Sequence, residues 1–365
     1  MPRKDKPKRR NYPVFLAYGI LFLTTLGYFS LKYLYDPQPL NINQVAQSNT
    51  TSASTKLVGV YQGAPGTLPV ILGNGNKSWV TNFPEHPTLG KYDTASDKYI
   101  NWSLDKMADI GIDFVILDES NGIHLIAGNG QRVLEAALVR YLDIVDARIA
   151  KGIKTPKITL MTPLIGIGDS CGAQQQGKQD GCLIGELDWI WLRLVNKEGK
   201  PRPGWFWLDG KPFIGIYSVR PFTPTYKDNR YTVRHICNAQ SNECHQPQKE
   251  LGNVWFWSTR NENGPLSAPR SEQMTIQNGF DNKIACQIWG LGKDPKCLIH
   301  EGFTQAYYNK QWDTAIGEKP RIIVISNFGG GAGIEGGQIE QRVDFNPPTL
   351  YEDITKKRIR EWKQL

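Results

Sequence analysis

Asp118 and Glu119 close the apolar run Asp113-Phe-Val-Ile-Leu117, and carboxylates at such a place suit proton transfer or nucleophilic attack. Consecutive polar residues at the end of a buried run make Glu119 the first candidate, with Asp118 beside it. Further carboxylates follow other apolar runs: Asp169, Glu262 and Glu335. Two acids in different environments can divide the labour, one held protonated as general acid and one ionised as base or nucleophile. Around them stand groups fitted for contact rather than chemistry. Tyr61, Tyr217, Trp257 and Trp289 lie on or beside apolar runs, and a ring with a polar tip suits a cleft. Asn327, His86 and His124 add hydrogen-bonding capacity, and Asp169 is assigned to the same binding role. More than half of the eleven tryptophans are expected in core and helix packing.

These residues need elements to hold them. Leu57-Val-Gly-Val-Tyr61 reads as a first strand, and residues 98–110 carry helical periodicity that Gly111 stops. Asp113 to Leu117 is a second strand. Residues 131–151 form a long helix with Leu134, Leu138, Leu142, Val145 and Ile149 on one stripe. Strands follow at Lys157–Met161, Pro212–Tyr217, Val254–Trp257 and Ile284–Ile288, read as third to sixth, with a short helix over 187–196. A seventh is not legible and is placed near His300 to Gly302; a helix over 303–316 then leads to a last strand, Arg321–Ser326. A charged helix over 349–364 ends the chain. Alternation of this kind predicts a parallel sheet with crossover helices, and eight repeats predict a (β/α)₈ barrel over 57–365. In that fold the polar ends of the strands share one rim.

The first fifty residues differ. Residues 1–11 form a basic tail; Met1 to Arg10 has six cations against Asp5, which supplies +5 of the formal net charge of +8. Residues 12–35 are largely uncharged and apolar, and about 20 such residues span a bilayer. They predict one transmembrane anchor with a cytoplasmic N-terminus and an extracytoplasmic barrel. Residues 36–56 are rich in Asn, Gln, Ser and Thr and read as a solvated linker. The remaining chain is mildly basic, which argues against a nucleic-acid surface. Six cysteines fall in close pairs (171/182, 237/244, 286/297), consistent with disulfides in an oxidising compartment; other connectivities stay open. His235, Cys237, Cys244 and His245 could instead hold zinc, but the cysteine spacing departs from common finger patterns, so no metal is expected. Gly331-Ala-Gly-Ile-Glu-Gly336 imitates a dinucleotide fingerprint, but one helix follows it and no further strand, so no cofactor is expected either.

The order of three segments resembles the glycoside hydrolase superfamily that contains families 71 and 99. The first is Phe83-Pro-Glu-His-Pro-Thr-Leu-Gly-Lys-Tyr-Asp93, followed by a helix and Gly111-Ile-Asp-Phe-Val. The second is Asp209-Gly-Lys-Pro-Phe-Ile-Gly-Ile-Tyr217. The third is the last strand running into Glu335-Gly-Gly-Gln-Ile-Glu340, similar to the family's Asn-Glu-Trp-x-Glu-Gly-x-x-Ile-Glu strand end. The resemblance implies a (β/α)₈ barrel that cleaves glycosidic bonds of a polysaccharide or glycan with paired carboxylates and no cofactor. Two departures stand against it. Asn327-Phe-Gly-Gly-Gly-Ala-Gly333 lacks the Glu and Trp of the family's motif, and Met161 to Asp169 lacks the glutamates that follow the family's third strand. A carbohydrate-binding or polysaccharide-assembly protein on the same barrel is therefore the alternative. Oligomeric state is not legible.

Overall fold

Eight strands run parallel in the order β7-β8-β1-β2-β3-β4-β5-β6. They are β1 (Leu57–Gly63), β2 (Phe114–Asp118), β3 (Lys157–Pro163), β4 (Lys211–Ser218), β5 (Thr232–Asn238), β6 (Val254–Ser258), β7 (Gln273–Ile276) and β8 (Ile322–Phe328). The computed structural model describes residues 55–63, 65, 94–119, 129–163, 179–218, 228–238, 254–258, 272–276, 305–328 and 350–365. Among these, five helices cover the sheet: α1 (Asp97–Ile110), α2 (Asn129–Ala150), α3 (Gln179–Ile190), α4 (Gln305–Glu318) and α5 (Leu350–Gln364).

The strands nearly close into a ring. The backbone ladder is missing only between β6 and β7, where side chains take its place. Phe256 N donates to Gln273 Oε1 at 3.0 Å, Thr275 Oγ1 donates to Phe256 O at 2.5 Å, and Trp255 Nε1 donates to Glu272 Oε2 at 3.0 Å. β7 is short and polar on its inner face because it closes the ring this way.

Alternation of period two sorts the strand residues onto two surfaces. Val58, Val60, Val115, Leu117, Ile158, Leu160, Ile323 and Ile325 join the helices in the outer core. Leu57, Tyr61, Phe114, Ile116, Met161, Phe213, Trp255, Ile322 and Val324 fill the inside of the ring. Four rings form the centre of that filling: Phe114 stacks on Phe206 at 4.1 Å between centroids, and Phe213 stacks on Trp255 at 4.6 Å. Burying each ring contributes roughly 2–3 kcal/mol. Gly59 makes room for the stack, since a Cβ there would lie 2.3 Å from Phe114 Cζ.

Local signals set the boundaries. Ser96 caps α1 by accepting from Tyr99 N, and Gly111 at φ 104° ends it, the left-handed turn that glycine favours. α3 passes into a π-helical turn over Trp191–Val195. Asp209 and Gly210, both at positive φ (54° and 79°), form a type I′ turn joining Trp207–Leu208 to the start of β4. This hairpin closes the floor of the ring, where Asp209 accepts from Arg321 at 2.6 Å and from Arg234 at 3.3 Å. The Asp-Gly-Lys-Pro motif thus encodes a turn.

Several expectations change. Val254–Ser258 is the sixth strand of the ring, not the fifth, because β5 precedes it. The seventh strand is Gln273–Ile276, not a piece near His300. β5 is interrupted by Arg234 and His235, and β7 carries inward Gln273 and Thr275, so neither reads as a buried run. The helix expected over 187–196 begins earlier, at Gln179. The 284–288 run, the 300–302 segment, the 12–35 anchor, residues 36–54 of the linker and Cys171, Cys244, Cys286 and Cys297 lie outside the described residues; for Cys182 and Cys237 only the backbone is placed. No helix among the described residues is long and apolar enough to cross a membrane.

Candidate functional site at the C-terminal mouth

β2 brings the first carboxylate to the mouth. Phe114 and Ile116 face the inside of the ring, so period two puts Asp118 on that face and Glu119 on the opposite one. The ladder continues one residue beyond the strand, with Glu119 N donating to Met161 O at 2.9 Å. Burial follows this parity: Asp118 is partly exposed and Glu119 is 0 % exposed.

Tyr61 on β1 lies in the same inner layer, fully buried, its hydroxyl 3.5 Å from Phe256 O across the ring. Burial first, and the Asp118 carboxylate second, hold its phenol well above the usual tyrosine range. Tyr61 therefore stays a neutral donor at any physiological pH. Tyr217, near the end of β4, packs against the inner filling and stays partly exposed. Asp118, Tyr61 and Tyr217 thus come together on the inner face at the C-terminal strand ends.

Two irregularities shape this rim. Val60 pairs with Ile325 and Gln62 with Phe328, so Ser326 and Asn327 together stand opposite Tyr61. Cys237 pairs with Phe256 and Asn238 with Ser258, which leaves Trp257 as the extra residue of β6. Bulges bend a strand and re-aim its residues, and they concentrate at barrel rims and beside active sites. Here they fall on Trp257 and Asn327 and flank β7. The same deviation frees Phe256 O to accept from Tyr61, Thr275 and Gln273 (3.5, 2.5 and 3.4 Å).

A polar layer behind the strands fixes their ends. Gln62 Nε2 donates to Tyr99 OH at 3.3 Å and Tyr141 OH donates to Gln62 Oε1 at 3.0 Å, tying β1 to α1 and α2. Thr162 Oγ1 donates to Glu186 Oε1 at 3.4 Å, tying β3 to α3. Gln62, Glu119 and Thr162 are fully buried polar residues on adjacent strands, an expensive arrangement unless hydrogen-bonded.

Of the other expected site residues, Glu262, Glu335, His86, His124, Asp169 and Trp289 lie outside the described residues, and for Trp257 and Asn327 only the backbone is placed. Ser326 and the Gln62–Tyr141 network were not singled out from sequence. Ser326 is fully buried with no hydrogen-bond partner for its Oγ among the described residues. Its signal was a polar pair, Ser326-Asn327, ending an apolar strand. Among the described residues no group of three or more His, Cys, Asp or Glu could hold a metal ion.

The fold has counterparts among solved structures. A glycoside hydrolase family 99 endo-α-mannosidase from Bacteroides thetaiotaomicron, in complex with bis-tris-propane, superposes with a TM-score of 0.56 at 14% identity, covering 84% of this chain and 97% of that one. A second structure described as the family 99 endo-α-mannosidase of that organism gives 0.52 at 14% identity over the same shares. A glycoside hydrolase-like protein gives 0.51 at 16% identity, covering 86% of this chain and 95% of its own. No protein-family model matches the chain, and no curated protein matches it. The chain therefore has the (β/α)₈ fold of the family 99-like glycoside hydrolases.

Proposed function

We propose that this chain is a membrane-anchored, extracytoplasmic glycoside hydrolase-like protein that cleaves glycosidic bonds of a polysaccharide or glycan at the C-terminal mouth of its barrel. Shared fold alone does not give an activity, so the site must carry the reading. The observation that carries it is Asp118, a partly exposed carboxylate on the inner face beside the neutral phenol of Tyr61, at a rim shaped by two bulges. Asp118 is suited to act on the scissile bond directly. Glu119, fully buried on the opposite parity, is suited to act through the position of the β2 end or after a movement of that end. A partner acid 5–5.5 Å from the first would give retention and one about 6.5–9.5 Å away would give inversion. Glu262 and Glu335 remain the proposed partners; the reading needs no cofactor.

The test is a hydrolysis screen of the full-length protein on mannans, other polysaccharides and glycans, with Asp118→Asn and Glu119→Gln in parallel. Loss of turnover in Asp118→Asn by about 10²-fold or more, at an unchanged melting temperature, supports the assignment. Undiminished turnover in both variants refutes it.

A second reading keeps the barrel and drops the chemistry. It is favoured by the absent Asn-Glu-Trp and third-strand glutamates, and by Asp118 being the one inward carboxylate at the mouth among the described residues. Glycan binding without turnover would select it.

A further inference from the structure

The helices run antiparallel to the strands, so the ends of α2, α3 and α5 and the starts of all eight strands share the face opposite the mouth. Three large apolar side chains exposed among the described residues all belong to it: Ile153 after α2 (43%), Leu192 in the π-turn after α3 (50%) and Leu365 after α5 (59%). Exposed lysines lie on the same face. Lys151, Lys154, Lys200 and Lys319 lie in the loops before β3, β4 and β8, Lys211 opens β4, and none of the five makes an ion pair among the described residues. Exposed carboxylates here that make no ion pair among the described residues are fewer, Glu198 and Glu318; Asp209 is bound to Arg321 and Arg234, Asp109 to Lys356 and Asp188 to Arg230. Lys56 enters β1 on this face, its Nζ donating to Trp362 O at 2.9 Å, with burial and the charge of Lys319 lowering its pKa.

We propose that this face, opposite the glycan mouth, is a docking surface for an anionic lipid bilayer, with Ile153 and Leu192 entering the headgroup region among the lysines. Apolar side chains ringed by Lys are the composition that binds such an interface, through burial and through attraction to acidic headgroups. The orientation suits the chain's connectivity: Thr55 and Lys56 enter β1 on this face, so a barrel resting on it holds its mouth toward the aqueous side. The inference rests on the anchor in the functional reading for this geometry, and not on the presence of catalysis.

The experiment uses the full-length chain in nanodiscs of phosphatidylcholine, with or without phosphatidylglycerol, read by hydrogen exchange. Exchange at residues 150–155 and 191–200 should slow about tenfold or more in the anionic discs and recover in about 0.5 M salt. Lys154→Glu combined with Lys200→Glu should abolish the difference; both side chains are exposed, so the fold is preserved. Equal exchange in both lipids, or protection at the mouth instead, overturns the proposal. So does protection by an acidic polysaccharide but by neither disc. Retention in the neutral discs through a salt wash reads the anchor separately; its loss refutes the anchor and leaves the lipid comparison decisive for the face.

Discussion

The carboxylate of Asp118 and the phenol of Tyr61 share the inner layer of the barrel mouth, and the negative charge of the first helps to keep the second protonated. Burial is the larger cause. Asp118→Asn should therefore lower the Tyr61 pKa while leaving it above the usual value of about 10. An ultraviolet titration of the variant against the parent checks this; an unchanged titration would place the two groups outside each other's field.

The same shift acts on stability. Tyr61 and Tyr141 are both buried and both pushed up, so each binds its proton more tightly folded than unfolded. Their contribution is complete below about pH 10 and is lost as pH rises through the folded values. Melting temperature should fall steeply above about pH 10, and less steeply in Tyr141→Phe. His235 works at the other end. Burial lowers its pKa, so the unfolded chain takes up a proton that the folded chain refuses. Stability should decline as pH falls below about 6.5, and His235→Gln should flatten that decline in a thermal series from neutral to mildly acid pH.

Gly59 is required by the ring that covers it. Gly59→Ala should destabilise the barrel by about 3 kcal/mol, because Phe114 is held on its other side by Phe206 and cannot yield. Urea unfolding measures the loss. Phe114→Leu in the same chain should recover part of it, and the absence of any rescue would mean that the backbone of β1 is at fault.

Glu272 gathers the β5–β6–β7 corner. It accepts from Arg234 at 2.7 and 3.1 Å and from Trp255 at 3.0 Å, with a side chain only 11 % exposed. Removing it leaves the largely buried Arg234 with the longer Asp209 contact at 3.3 Å as its one carboxylate partner among the described residues. Glu272→Ala should cost about 3 kcal/mol, and the double variant with Arg234→Ala should cost less than the sum of the two singles by about 1 kcal/mol or more. Strict additivity in urea unfolding would show that the pair does not act as a unit.

The barrel was legible where strands are buried on both faces. Val115, Leu117, Ile323 and Ile325 sit between apolar neighbours, and continuous runs announce them. β5 and β7 were hidden for a physical reason. The ring closes there through Arg234, Gln273 and Thr275, whose polarity is satisfied by partners distant in sequence. The site was legible in location and less so in role. A polar pair ending an apolar run located Asp118 and Glu119 at the rim, but only the parity of Phe114 and Ile116 distinguishes the inward residue. The bulges at Trp257 and Ser326-Asn327 are invisible in sequence, since they exist only in the register between strands.

Everything proposed for function depends on a glycan entering where strands end rather than where they begin. The direct measurement is a hydrogen-exchange footprint of the full-length protein with the best ligand from the glycan screen. Exchange should slow at residues 117–119, 216–218 and 325–328, the ends of β2, β4 and β8, and stay unchanged at 111–113 and 319–321. Protection confined to those latter loops, with the strand ends unaffected, would contradict the account.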